Sequence, residues 1–265
     1  MAGAPNVNFD DGAAYENFMG RWSRQIGAVF LDWLSPPRDA RWLDVGCGTG
    51  VFTQLVLDRC NPAQVTAVDP ARRGDDVEAA VCERQRQCVA DAELRALRQR
   101  LLQNIVDLRG ALVMNFIPDR PRAVADMRRV TRPGGIVAAY VWDFTRAGSP
   151  NWPFGRAMRV LGYSPPRPPG EEDSTRERLS ALFEAEKLTE IVTREIEVTT
   201  TFPSFEDFWR SQTPSFSPTG RALAAVPKTE LPKIKKAVRD VLKAPGEGPV
   251  TYAARANAIK SRVPG

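Results

Sequence analysis

Asp44, Gly46, Gly48 and Gly50 stand at alternate positions in the stretch LDVGCGTG, residues 43–50, and Asp69 follows 19 residues after Gly50. Glycines at that spacing let a backbone take positive φ and approach a ligand closely. An acid just ahead of such a turn repels a phosphate and attracts a cation. A second acid at the end of the next strand can accept hydrogen bonds from ribose hydroxyls. Other chemistries are limited by what the chain lacks. It contains no histidine, which excludes a histidine-based triad and a histidine metal site. Cys47, Cys60, Cys82 and Cys88 form no CxxC pair and no metal-ligand spacing, as expected for reduced thiols in a cytoplasmic protein without a metal centre.

The elements around these residues make a βαβ unit. ARWLDVG is a short apolar strand, and TGVFTQLVLDRC is helical, with Val51, Leu55, Val56 and Cys60 expected on its buried face. QVTAVDP is a second strand, closed by Asp69 and Pro70. Such a unit implies a parallel sheet with a right-handed crossover and puts the glycine turn at the carboxyl edge, where ligands bind. A dinucleotide turn, Gly-x-Gly-x-x-Gly, would place its third glycine where this chain has Val51. The order acid-x-Gly-x-Gly-x-Gly suits a ligand with a ribose, a cationic group and no phosphate. S-adenosylmethionine has those properties.

At this point the chain resembles the class I S-adenosylmethionine-dependent methyltransferases, in particular the small-molecule type similar to the ubiquinone and menaquinone biosynthesis enzymes. WLDVGCGTG carries the resemblance most specifically. VDP, ALVMNFIPD (111–119) and MRRVTRPGGIVAAYVWD (127–143) follow in the family's order, as ribose-binding acid, fourth strand with its exit loop, and helix, turn and fifth strand. YENFMGRWS is similar to the helix that closes over the methionine end of the cofactor. The resemblance implies a Rossmann-like α/β fold: a mostly parallel sheet with an antiparallel last strand and helices on both faces. It also implies a cofactor-binding set of Tyr15, Arg21, Asp44, Gly46, Cys47, Gly48, Gly50, Asp69, Pro70, Asp91 and Asn115. In that set Asp91 would meet the adenine amino group, and Arg21 would pair with the methionine carboxylate. No residue is nominated as catalytic. Any base must be Asp, Glu, Tyr, Cys or Lys.

Residues 71–110 depart from the family. Only VADAE (89–93) matches a third strand ending in an acid, and the aromatic loop expected after it is replaced by an Arg/Gln/Leu stretch. Leu94, Leu97, Leu101 and Ile105 share one face if that stretch is a helix. Two readings stay open: a loop rebuilt as a longer helix, or a segment foreign to the family, such as a translated frame shift. The second would leave a relative that is inactive or only binds cofactor.

The flanking regions complete a single domain over 1–265. YENFMGRWSRQIGAVFLDWL (15–34) is an amphipathic helix ended by Pro36 and Pro37. Residues 146–174 are Pro/Gly-rich, with one short amphipathic piece around Phe154–Leu161. STRERLSALFEAEKL opens with a capping box, Ser174 with Glu177, and continues as a helix. TEIVTREIEVTTTF alternates and is β-branched, so it is a strand, and PVTYAARANAIKSRV closes the sheet. By the resemblance, residues 203–247 are a substrate cap inserted before the last strand. Phe205, Phe208, Trp209 and Phe216 either line its pocket or are ordinary core.

Charge adds little. The net charge is +5, and residues 71–132 hold thirteen Arg against nine Asp plus Glu. No aromatic interleaves those arginines before Phe116, which argues for a solvated helical face rather than a nucleic-acid surface. No run approaches the ~18 apolar residues of a membrane span, and the first residues do not form a signal peptide. The expected partner is a small-molecule substrate. The oligomeric state is not legible.

Overall fold

A computed structural model of the chain describes residues 16–68, 86–89, 105–111, 114–244 and 246–265. Its frame is a seven-stranded sheet made of β1 (Arg41–Val45), β2 (Gln64–Val68), β3 (Arg86–Val89), β4 (Ile105–Ala111), β5 (Thr131–Trp142), β6 (Thr189–Phe202) and β7 (Val250–Arg262). The order across the sheet is β3-β2-β1-β4-β5-β7-β6. β1 pairs in parallel with β2 and β4, β2 with β3, and β4 with β5; β7 runs antiparallel to both β5 and β6. This is the Rossmann-like α/β arrangement expected from the sequence.

β5 shows how the sheet acquires two covered faces. Its side chains alternate, as a strand's period of two requires. Ile136, Ala138, Tyr140 and Trp142 enter one core, and Val137, Ala139 and Val141 enter the other. The first core is roofed by α1 (Arg21–Leu34) and α2 (Val51–Cys60). The second is covered by α3 (Arg120–Val130) and α5 (Arg176–Ala185), through Val124, Met127, Leu179 and Phe183. Between β5 and α5 lies α4 (Trp152–Val160).

α1 follows a helical turn at Glu16–Gly20 and buries Trp22, Ile26 and Phe30 completely. It ends at Ser35, whose left-handed backbone (φ 48°) lets its N–H donate to the Leu31 carbonyl at 3.1 Å; Pro36 and Pro37 then forbid another turn. Gly27 brings α1 and α2 close, because a Cβ there would lie 2.8 Å from a Leu55 methyl carbon. The buried face of α2 is Phe52, Thr53, Val56 and Cys60; Val56 and Cys60 lie where the spacing put them, whereas Val51 and Leu55 are half-buried and Phe52 and Thr53 are buried in their stead. Packing sets the rotation: Phe52 meets Phe30 at 6.0 Å and Tyr140 at 5.9 Å.

Other boundaries also moved. The fourth strand is Ile105–Ala111, so ALVMNFIPD holds only its last residue, and Ile105 is strand rather than helix. Leu94, Leu97 and Leu101 lie outside the described residues. The Pro-Gly-Gly turn falls inside β5 as an irregularity, where pairing with β4 steps from Ile105↔Thr131 to Asp107↔Ile136. The cap of α5 is Thr175, which accepts from the Arg178 N–H at 3.2 Å. Ser174 instead accepts from the Phe144 N–H and donates to the Glu171 carbonyl.

Between β6 and β7 come α6 (Phe205–Gln212), α7 (Pro218–Ala224) and α8 (Leu231–Leu242). Phe205 and Phe208 are core residues, whereas Trp209 and Phe216 are half-buried against it. Phe208 meets Phe154 at 5.4 Å, Phe202 at 5.5 Å and Tyr252 at 5.5 Å. Burying each such ring contributes about 1.5–3 kcal/mol, which fastens α6 to the sheet. Gln212 adds a polar tie, its amide donating to the Phe18 carbonyl at 3.1 Å.

Candidate functional site

The turn between β1 and α2 is held by its own backbone. The N–H groups of Gly46 and Cys47 both donate to the Val68 carbonyl, at 2.7 and 3.1 Å. The turn is thereby pinned to the end of β2, and Asp69 is the next residue in the chain. Gly50 N–H donates to Cys47 O at 2.8 Å, and Gln54 N–H to Gly50 O at 2.8 Å, starting α2. Gly46, Gly48 and Gly50 have φ of 74°, 52° and 83°, values at which an L side chain is strained. A Cβ on Gly48 or Gly50 would meet no described atom within 4 Å. The turn therefore presents bare backbone to an open cradle.

Asp44 closes β1 beneath that cradle, only 2% exposed. Its Oδ2 accepts from Thr53 Oγ1 at 2.7 Å. Burial of a carboxylate is costly unless it is hydrogen-bonded, and the first turn of α2 supplies a donor. Thr53 was not in the sequence-derived set. Its only signal there is its position, a hydroxyl three residues beyond Gly50.

Asn115 lies in the short helical turn Met114–Phe116, four residues beyond the end of β4. Arg120 fastens this turn. Its Nε donates to Met114 O at 3.0 Å, its Nη2 to Asn115 O at 3.0 Å, and its Nη1 pairs with Asp173 at 2.8 Å. Asn115 itself is buried, and no described residue accepts from its Nδ2.

Asp44, Gly46, Cys47, Gly48, Gly50 and Asn115 are thus brought to one carboxyl edge, over the neighbouring strands β1 and β4. Arg21 is not. Its guanidinium lies over the Phe202 ring at 5.4 Å, at the end of β6, four places from β1 in the sheet and about 19 Å away at ordinary strand spacing. Tyr15, Asp69, Pro70 and Asp91 lie outside the described residues. Tyr252 is no base at neutral pH. Burial pushes its phenol well above the ordinary tyrosine range, and its hydroxyl donates to Pro150 O at 2.9 Å. Among the described residues no three His, Cys, Asp or Glu side chains cluster to hold a metal ion.

Comparison with known proteins bears on this arrangement. Residues 43–139, which hold the turn, Asp44 and Asn115, match a family described as a methyltransferase domain. The match runs through 71–110, the stretch that departs most from the family pattern. A malonyl-[acyl-carrier protein] O-methyltransferase of Serratia marcescens is 35% identical over 116 residues, 43% of each chain. An uncharacterized methyltransferase of Mycobacterium tuberculosis is 32% identical over 132 residues, 50% of this chain and 49% of that one. The chain spans about half the length of the curated relatives it matches.

Solved methyltransferases share the fold at low identity. A phosphoethanolamine N-methyltransferase 2 of Haemonchus contortus, in complex with S-adenosyl-L-methionine, superposes with TM-score 0.56 at 14% identity, covering 98% of this chain and 59% of that one. A putative methyltransferase of Bacillus halodurans gives 0.53 at 15% identity, covering 90% and 99%. The turn of this chain has open space above two of its glycines and a buried acid beside it. A Cβ on Gly48 or Gly50 would meet no described atom within 4 Å, and a buried acid such as Asp44 favours a cation over a phosphate.

Proposed function

We propose that this chain transfers a methyl group from S-adenosylmethionine to a small-molecule acceptor. The observation that carries the reading is the bare, left-handed glycine turn over the buried Asp44, pinned to β2 just ahead of Asp69. In this assignment Gly46, Cys47, Gly48 and Gly50 form the cofactor's floor, Asp69 and Pro70 hold its ribose, and Asp91 its adenine. Tyr15 belongs to its methionine end. Arg21 belongs there only if the helix carrying it moves, because it now stacks on Phe202. A sulfonium is an activated methyl donor, so the protein's task is to align an acceptor and exclude water.

The segment 203–247 is assigned as the acceptor's cap within a single domain spanning 1–265. Its support is that α6 joins the N-terminal turn through Gln212 and the edge of the sheet through Phe208. No nucleic-acid partner is assigned. No described helix is long and apolar enough to cross a membrane, and the cytoplasm is the compartment that suits a small-molecule methyltransferase with reduced thiols.

A cofactor-binding but inactive relative is the second reading, because of residues 71–110. Two strands of the sheet, β3 and β4, are nevertheless built from that stretch, which favours a working frame. Calorimetric titration with S-adenosylmethionine, S-adenosylhomocysteine and NADH tests the assignment. Binding of the first two and not the third is expected. Binding of NADH alone, or of none, would remove it.

A further inference from the structure

Two buried N–H groups at the carboxyl edge lack an acceptor among the described residues: Asn115 Nδ2 and Trp142 Nε1. Asn115 is 4% exposed and Trp142 5%. They belong to neighbouring strand ends. The last paired residue of β4, Ala111, is in register with Tyr140, two residues before Trp142, and the turn carrying Asn115 packs against β5. Native proteins leave few buried donors unpaired, and those few call for an explanation such as an absent ligand. Trp142 meets Trp22 edge to face, at 6.3 Å and 86°. In that geometry only one ring can aim its edge at the other, so the contact provides for at most one of the two indole N–H groups. Arg120 Nη2 donates to the Asn115 backbone carbonyl, which fixes the turn that carries the amide.

Resting on the methyl-transfer reading, we propose that Asn115 Nδ2 and Trp142 Nε1 seat a carboxylate, and that the methyl acceptor is a small-molecule carboxylic acid methylated on oxygen. Both groups donate, and a carboxylate only accepts. An amine would turn its own N–H groups toward these donors and leave a cation in a seat beside the buried Trp22 ring. A phenol needs a base. The described acid next to the seat, Asp143, has its Oδ1 taken by Thr145 N, Thr145 Oγ1 and Arg146 N, at 3.1, 2.9 and 3.1 Å.

A carboxylate carries its nucleophilic pair at neutral pH. Its oxygen bonds the methyl carbon as the carbon–sulfur bond breaks; the bonding pair leaves with sulfur, and the sulfonium becomes a thioether. No proton moves, and an anion and a cation become two neutral molecules, a change that an apolar seat favours. Gln212 Oε1, a buried acceptor without a described partner, belongs to a side chain whose amide donates to Phe18 O and is not part of the pair.

The test begins with calorimetry of S-adenosylhomocysteine; no binding there removes the methyl-transfer reading and this proposal with it. The loaded protein is then titrated with benzoate and decanoate, and the enzyme with S-adenosylmethionine is offered benzoate, decanoate, catechol and benzylamine, with products read by mass spectrometry. Expected are carboxylate binding and a methyl ester. Trp142→Phe, which keeps a ring and drops the N–H, should weaken carboxylate binding about tenfold while leaving S-adenosylhomocysteine affinity within about twofold, and Asn115→Ala should weaken carboxylate binding by a similar factor. Methylation of catechol or benzylamine alone, a loaded protein that binds neither carboxylate, or unchanged carboxylate affinity in both variants would overturn the proposal.

Discussion

Thr53 Oγ1 donates to Asp44 Oδ2 at 2.7 Å, joining the first turn of α2 to the end of β1 across the glycine turn. The bond is buried and ends on a carboxylate, the class of hydrogen bond that contributes most. It holds the acid in place beneath the cradle.

Thr53→Val keeps the shape and removes this donor. Unfolding in denaturant should show a loss of about 1–3 kcal/mol, and calorimetry should show weaker S-adenosylmethionine binding. Unchanged stability and affinity would mean that Asp44 is held by its other contacts.

Gly48→Val should abolish cofactor binding. Its φ of 52° is strained for a β-branched residue, and the new side chain would enter space that no described atom fills. Binding at wild-type affinity would make the turn purely structural.

Asp69→Ala tests the ribose contact. Hydrogen bonds to a charged group contribute about 1.5–3 kcal/mol each, so affinity should fall by at least tenfold in a protein that keeps its melting temperature. A folded variant with an unaltered dissociation constant would take Asp69 out of the site.

Arg120→Lys replaces a fork that serves Met114, Asn115 and Asp173 together. A point charge cannot make all three bonds. Stability should drop by about 1–3 kcal/mol, and hydrogen exchange should quicken around 114–116. Equal protection in both proteins would show the clamp to be dispensable.

Tyr252 predicts an alkaline limb. Burial raises its folded pKa, so above about pH 10 the unfolded chain loses a proton that the folded chain keeps. Fewer protons bound in the unfolded state means that stability falls as pH rises. Tyr252→Phe should flatten that fall, at the cost of about 0.5–1.5 kcal/mol near neutrality for the lost bond to Pro150. Chemical denaturation from pH 8 to 11 measures both.

Short-range physics made much of this molecule legible from its residues alone. Alternate glycines after an apolar strand suit a turn of positive φ, which Gly46, Gly48 and Gly50 adopt, and the acid ahead of them is what points to a cationic ligand. β6 and β7 announce themselves by alternation, and α1 by apolar residues at helical spacing up to Pro36. What tertiary structure decided lies where local preference is weak or divided. IVDLRGA carries an acid, an arginine and a glycine, so no period marks it, yet β1 and β5 pair with it on both sides and make it the central strand β4. RQCV is too short and polar to stand out, and becomes β3 by pairing with β2. On α2 the spacing placed Val56 and Cys60 inside, and Phe30 with Tyr140 brought in Phe52 rather than Val51. Arg21, adjacent in sequence to the helix's aromatic face, went to Phe202 because α1 crosses the sheet at the β6 end. The strand ends that carry Asn115 and Trp142 become neighbours only when β4 and β5 align, and whether a buried donor finds an acceptor is a property of packed surroundings and not of residue type.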